Sequence, residues 1–383
     1  KKYYGLFTAL ISSLLFSFSP WMILFSRKIW AQDLLLPFVI ILLLSIHKLA
    51  IDKKTKYWFV YALSSLFLIQ LHQASIFFIA ILTIFLIRKV KINIPYLSGG
   101  IILGILPMLP YFIYVLNNLW IDPLAIIVSK ERFASAFYPI IFLRPLQILS
   151  QGNFRFILGE DNLTFANQFP MIYQLKQFFY LEYLLLPLGI IIFFKELPKL
   201  RFLIYATLAL PIIYYLLHFE PFIHYVLILT PLLFLFLGFG LKTLFDSKFK
   251  LIKFFSLGAM IILVTLSFFY NLAFFQFIKD KKEIKGDYGA SFGVIEKQTK
   301  EKFKKYKNDK DYREIILTSY LPGQFLYGYM PVAKILYPYN KTLNDLPALE
   351  KRLLTNPDDP RVKLQLTAFY TTYPVSKNLL NLL

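Results

Sequence analysis

The densest group of chemically capable side chains lies in residues 25–33, Phe-Ser-Arg-Lys-Ile-Trp-Ala-Gln-Asp. Arg27 offers a planar fork of donors that matches phosphate oxygens, and Lys28 adds a compact positive charge beside it. Trp30 supplies a flat apolar face for a sugar or an isoprenoid chain. Gln32 and Asp33 can hydrogen-bond sugar hydroxyls. Together these residues suit a phosphorylated, partly greasy ligand. The competing reading is interfacial anchoring, because Arg, Lys and Trp are ordinary at a membrane boundary.

Two further groups carry polar chemistry. One is Leu71-His72-Gln73-Ala74-Ser75, a polar break between two apolar runs. It reads either as a lipid-facing turn with His72 satisfied by a backbone carbonyl, or as a turn buried beneath a large loop. The other is 217–225, Leu-His-Phe-Glu-Pro-Phe-Ile-His-Tyr. Glu220 is an acid in a turn, and His224 and Tyr225 are predicted to start a helix whose N-terminus would favour an anion. The alternative for this stretch is a solvated turn with interface aromatics. His47 is expected to be structural. Arg132, Arg144, Arg155, Glu160 and Asp161 could each touch a substrate but are expected to be solvated.

The chain contains no cysteine and four histidines, so thiolate chemistry is excluded and a histidine metal cage is disfavoured. No Gly-rich phosphate loop or HExxH occurs. No cofactor is predicted, and the sequence leaves a divalent metal open.

The elements that must position these groups are apolar helices. Of 383 residues, 57% are hydrophobic, 19% aromatic and only 17% charged, which argues against a soluble globule or a disordered chain. A spanning helix needs roughly 17–25 apolar residues. Nine stretches are candidates: 3–19, 33–51, 57–71, 73–88, 97–116, 179–194, 201–218, 222–241 and 252–278. Internal prolines, such as Pro37, Pro107, Pro110, Pro187, Pro211 and Pro231, are tolerated in membrane helices. The stretches 57–71 and 73–88 would together make a single helix of ~48 Å, too long for one crossing, so two helices are predicted.

Charge then sets the expected orientation. The N-terminus and the segments 48–56, 88–96, 195–201 and 242–253 carry sixteen Lys and Arg against three acids, Asp52, Glu196 and Asp246. The opposite loops up to 278 balance seven against seven. The basic side is expected to be cytoplasmic. Much of the formal charge of +20 is thereby a topology signal, with no nucleic acid implied. The span centres are read as lacking ionisable side chains, which weighs against an ion-coupled transporter.

The predicted fold is an α-helical polytopic membrane protein of about nine transmembrane helices. Residues 1–278 form the membrane domain, with 117–178 a large outer loop containing interfacial helices. Residues 279–383 form a small extracytoplasmic domain, α/β or α-rich. It is expected to hold a basic amphipathic helix at 294–307, a strand at 314–320 and helices at 343–354 and 360–371.

The runs SPWMILFSRKIWAQDLLLPFVIILLLSI, LHQAS and HYVLILTPLLFLFLGFGL resemble membrane glycosyltransferases of the GT-C type. The nearest group is the dolichyl-phosphate-mannose protein mannosyltransferase superfamily (glycosyltransferase family 39) and its bacterial relatives. The resemblance covers roughly residues 1–245 and rests on motif order. It implies a polyprenyl-phosphate-linked sugar donor, transfer with inversion on the outer face, and a lipid, glycan or protein acceptor. It implies a multi-pass protein of a prokaryotic plasma membrane with an extracytoplasmic C-terminal domain. It matches Arg27, Trp30 and Gln32 to a family motif, and His72, His224 and Tyr225 to positions that commonly carry polar or basic residues. The acidic base of the family would lie upstream of Lys1, leaving Asp33 and Glu220 as weak candidates within the chain. The reading from a different class is a lipid-sugar flippase, transporter or assembly subunit without catalysis.

Overall fold

The computed structural model describes residues 2–27, 34–117, 137–150, 154–219 and 222–291, with 293, 294 and 297. The chain divides into two compact units. The first comprises 1–155 and 165–274, and the second 156–164 and 275–383.

The first unit is helical. Its elements begin with α1 (Gly5–Phe18), α2 (Pro20–Phe25), α3 (Leu35–Ala50), α4 (Trp58–Leu71), α5 (Ser75–Lys89), α6 (Ile94–Ile105) and α7 (Leu109–Asn117). Four short helices follow: α8 (Arg144–Ser150), α9 (Phe154–Leu158), α10 (Asn162–Gln168) and α11 (Pro170–Leu175). Four longer ones close the series: α12 (Leu181–Glu196), α13 (Arg201–Leu216), α14 (Thr230–Phe245) and α15 (Lys250–Lys281). Part of α9 and α10 and the end of α15 belong to the second unit.

Each of the nine apolar stretches contains helix. Among the described residues, four helical runs are long and apolar enough to cross a membrane: Pro170–Glu196, Pro198–Leu216, Ile223–Phe245 and Lys250–Lys281. Helices α1, α3, α4 and α5 hold 14, 16, 14 and 15 residues and fall below that length. The 97–116 stretch is broken at Leu106–Met108 by a 3-10 turn carrying Pro107. Proline explains this break, since it removes one backbone donor and clashes with the preceding turn. Pro187 and Pro211 are the prolines accommodated inside long helices, in α12 and α13. The 57–88 region is two helices, as its length demands. Its break comes at His72, whose backbone is extended. The two helices pack together, and the Tyr61 and Thr83 hydroxyls meet at 2.6 Å.

Helix α14 is the core of this unit. Leu232, Leu233, Phe234, Phe236, Leu237, Phe239 and Leu241 are all buried. Helix α12 approaches it at backbone contact. A Cβ on Gly189 would overlap the Phe236 carbonyl, and one on Gly240 would overlap the Leu185 carbonyl. Only glycine permits two helices to lie this close. Helix α1 covers another face of α14, while α3 packs on α4 and α5 on α13.

The five basic segments meet one another. Lys2 and Tyr3 reach Asp52 at 3.0 and 2.9 Å. Lys53 donates to the Lys89 carbonyl at 3.2 Å, Lys89 to the Lys199 carbonyl at 3.4 Å, and Lys242 lies 3.9 Å from Glu196. At the far ends of the same helices, the Tyr214 hydroxyl donates to the Ala74 carbonyl at 3.1 Å. The Lys/Arg-rich loops are thus gathered at one end of the bundle.

In the second unit, the residues described are 156–164 and 275–291, with 293, 294 and 297. Asp161 is buried and accepts from the Lys281 ammonium and, at 2.8 Å, from the Lys285 backbone N–H. This overturns the expectation that Asp161 is solvated. An ammonium and a backbone donor replace its water. Burial acts to raise its pKa, but these two donors hold the carboxyl below the usual carboxylate range. The backbone of 156–157 bonds to Asp287 and Tyr288, and a two-residue antiparallel pairing joins Glu283–Ile284 to Gly289–Ala290. Residues 156–164 therefore fold with the chain that follows α15. The elements expected at 294–307, 314–320, 343–354 and 360–371 lie outside the described residues, apart from the isolated residues 294 and 297.

Candidate functional site

Three of the candidate residues converge. His72 occupies the break between α4 and α5. His224 and Tyr225 follow the turn after α13. The His72 ring lies edge-on to His224 at 5.4 Å and to Tyr225 at 5.0 Å between centroids. His224 and Tyr225 are 4.7 Å apart, and Phe222 stacks on His224 at 5.4 Å. The Tyr214 ring is 5.9 Å from Tyr225, while its hydroxyl bonds to the Ala74 carbonyl. Phe219 closes the group against Tyr214 and Tyr225 at 5.3 and 5.8 Å.

The local sequence explains this geometry. A polar His-Gln-Ala-Ser break ends α4 and lets the chain reverse into α5. The segment after α13 reverses through His218, whose φ of 54° is left-handed. A non-glycine residue there is uncommon and must be held by its surroundings. The Phe137 ring packs 4.0 Å from that of His218. The helical run expected to start at His224 does begin at Ile223, but as 3-10 turns to Leu229, and α14 starts at Thr230. His224 and Tyr225 thus ride tight turns in which residues three apart share a face.

His72 is only 8% exposed, and burial lowers its pKa to about 4. It is therefore a neutral imidazole at physiological pH. It can donate one hydrogen bond and accept another, but it brings no charge to a phosphate. Arg27 is exposed in the turn after α2, in a different segment from the cluster. Lys28, Trp30, Gln32, Asp33 and Glu220 lie outside the described residues.

His47 has the structural environment expected of it. Its Nδ1 bonds to the Leu43 carbonyl at 2.6 Å, which requires a hydrogen on that nitrogen. The other nitrogen is left to accept from the Tyr4 hydroxyl. Arg144 donates to the Gln147 side chain at 2.7 Å.

One residue was not singled out by its sequence position. Glu182 stands in the first turn of α12, is 3% exposed, and its Oε2 has no hydrogen-bond partner. The helical run 170–196 puts it midway along a membrane-length stretch, an exception to the reading that span centres lack ionisable groups. The available signal was an acid inside the apolar run 181–194 with no base within four residues. Among the described residues, no group of three or more His, Asp or Glu could hold a metal ion.

Comparison with protein-family models, with curated proteins and with solved structures finds no match to this chain. Fold and composition define its class. It is a predominantly helical, membrane-associated protein with four described helices of membrane-crossing length and apolarity.

Proposed function

We propose that the chain is a membrane glycosyltransferase that takes a sugar from a polyprenyl-phosphate-linked donor at the outer face and transfers it, with inversion, to a lipid, glycan or protein acceptor. The observation that carries this reading is the convergence of His72, His224 and Tyr225 at the end of the bundle away from the basic loops. Nine crossings, with residues 279–383 outside a prokaryotic plasma membrane, are the topology that goes with it. The segregation of basic loops to one end supports that topology.

In the reaction, the acceptor hydroxyl attacks the anomeric carbon from the face opposite the phosphate. The anomeric C–O bond breaks, and the polyprenyl phosphate leaves with the bonding pair. A carboxylate takes the hydroxyl proton. Within this sequence the candidates for that base are Asp33 and Glu220. His72, as a neutral imidazole, together with His224 and the Tyr225 hydroxyl would orient the sugar and phosphate by hydrogen bonds. Compensation of the developing phosphate charge would then fall to the fixed cations Arg27 and Lys28, with Trp30 and Gln32 beside the sugar. The test is incubation of the full-length protein with radiolabelled polyprenyl-phosphate sugars and a panel of acceptors. Transfer that falls on His72→Ala supports the reading, and no transfer to any acceptor contradicts it.

A second reading, a lipid-sugar transporter or assembly subunit, is favoured by Glu182. A buried carboxylate midway along a membrane-length run is characteristic of substrate and proton pathways. Translocation of a fluorescent lipid-linked sugar across liposomes, lost in Glu182→Gln, together with no transfer, would select it.

A further inference from the structure

The basic end contains a charge group that the proposed reaction does not use. Lys53 lies in the turn after α3, Lys89 ends α5, and Arg201 begins α13. Each has found a partner, and none of these partners is an acid. Lys53 bonds to the Lys89 carbonyl, Lys89 to the Lys199 carbonyl, and the Arg201 Nε donates to the Phe194 carbonyl at 2.7 Å. Lys89 sits 5.1 Å over the Phe202 ring and Arg201 4.2 Å over the Phe194 ring. The acids of the five basic segments are engaged elsewhere. Asp52 is bound by Lys2, Tyr3 and Lys48, and Glu196 and Asp246 lie against Lys242. Burial, and after it the like charges of Lys53 and Arg201, disfavour the charged form of Lys89. Lys53 adopts a left-handed φ of 55°, so its position is imposed by its surroundings.

Like charges gathered without counter-charge cost free energy that a bound anion would return. A guanidinium fork beside two ammonium groups suits phosphate oxygens. The surface leading away from the cations is greasy. Ile84 and Ile87 on α5, and Tyr205, Leu208 and Ile212 on α13, are exposed by 45–53%. A free phosphate would have no use for that surface, whereas a phospholipid would lay its chains along it.

We infer that Lys53, Lys89 and Arg201 form a binding site for the phosphate headgroup of an anionic phospholipid, whose acyl chains lie along the exposed faces of α5 and α13. The site is independent of the transfer reaction. His72 precedes α5 and Lys89 ends it, so the two sites are separated by the length of a 15-residue helix, about 22 Å.

The test reconstitutes the full chain in nanodiscs of phosphatidylcholine with one-fifth phosphatidylglycerol, extracts it in mild detergent, and counts retained lipids by native mass spectrometry. The wild type is expected to retain phosphatidylglycerol at least fivefold above its bulk share. K53Q/K89Q/R201Q is expected to lose that enrichment, and K54Q/K56Q/K91Q, which removes three other cations of the same end, to keep it. Equal loss in both variants would reduce the effect to general surface charge and overturn the site. Displacement of the lipid by millimolar inorganic phosphate, with phosphate alone raising Tm as much as phosphatidylglycerol does, would reassign it to a soluble anion. Should the triple variant not fold, the wild type decides alone. No enrichment and no higher Tm in phosphatidylglycerol than in phosphatidylcholine would overturn the inference.

Discussion

His72 and Tyr225 stand edge to face at 5.0 Å, although one ends α4 and the other precedes α14. The Tyr214 hydroxyl on the Ala74 carbonyl holds the two turns in register. Tyr214→Phe should therefore loosen the cluster while keeping the fold. A neutral hydrogen bond contributes about 1 kcal/mol, and a cost of that order in chemical denaturation is expected. Donor use should fall with it.

The protonation of His72 gives a pH test. Its native pKa of about 4 lies below the unfolded value of about 6.5. Between these values the unfolded chain binds a proton that the folded chain refuses, so stability falls as pH drops from 6.5 towards 4. His72→Gln should remove that part of the slope. NMR titration of the His72 ring should show no midpoint above pH 5.

Asp161 has the same sign, in a more acidic window. Its native pKa is depressed, so its contribution is present above the unfolded value and is lost as pH falls through the native one. Asp161→Asn replaces a charge-assisted pair and should cost about 2 kcal/mol at pH 7. The difference from wild type should shrink below pH 4. Limited proteolysis at 275–291 would report the loss.

The contact between α12 and α14 depends on Gly189 and Gly240. Gly189→Leu places a side chain where the Phe236 carbonyl lies. Overpacking at such a site costs about 3 kcal/mol or more, and the yield of folded, detergent-soluble protein should collapse. Gly258, with open space around it, should accept alanine without effect.

Glu182→Leu separates structure from function. Removing an unpartnered buried carboxylate should raise Tm, because the desolvation penalty disappears with it. A rise in Tm together with lost transfer or translocation would show that the carboxylate is kept for function.

Much of this architecture was legible in the sequence, for identifiable reasons. Apolar length and the position of Lys and Arg are local properties, and they located apolar helical stretches, four of which reach membrane-crossing length among the described residues, and the gathering of the basic loops. The two-helix reading of 57–88 followed from rise per residue alone. His72, His224 and Tyr225 could be named as polar residues at helix ends, but their meeting depends on how α5 packs on α13. Asp161 was misread because its partners, Lys281 and the Lys285 backbone, lie far along the chain. Glu182 escaped notice because one acid in an apolar run counts as a loop charge until the helix is seen to extend through it. The 3-10 start at 223–229 has no periodicity by which a short apolar stretch would reveal it.

The central claim is that His72, His224 and Tyr225 receive the headgroup of a polyprenyl-phosphate sugar. A photoactivatable analogue of that donor, crosslinked to the protein in proteoliposomes and mapped by mass spectrometry, tests it directly. Labelling concentrated in 72–75 and 214–225, and displaced by unlabelled donor, is the result expected. Labelling spread along the lipid-facing helices and insensitive to competitor would contradict it.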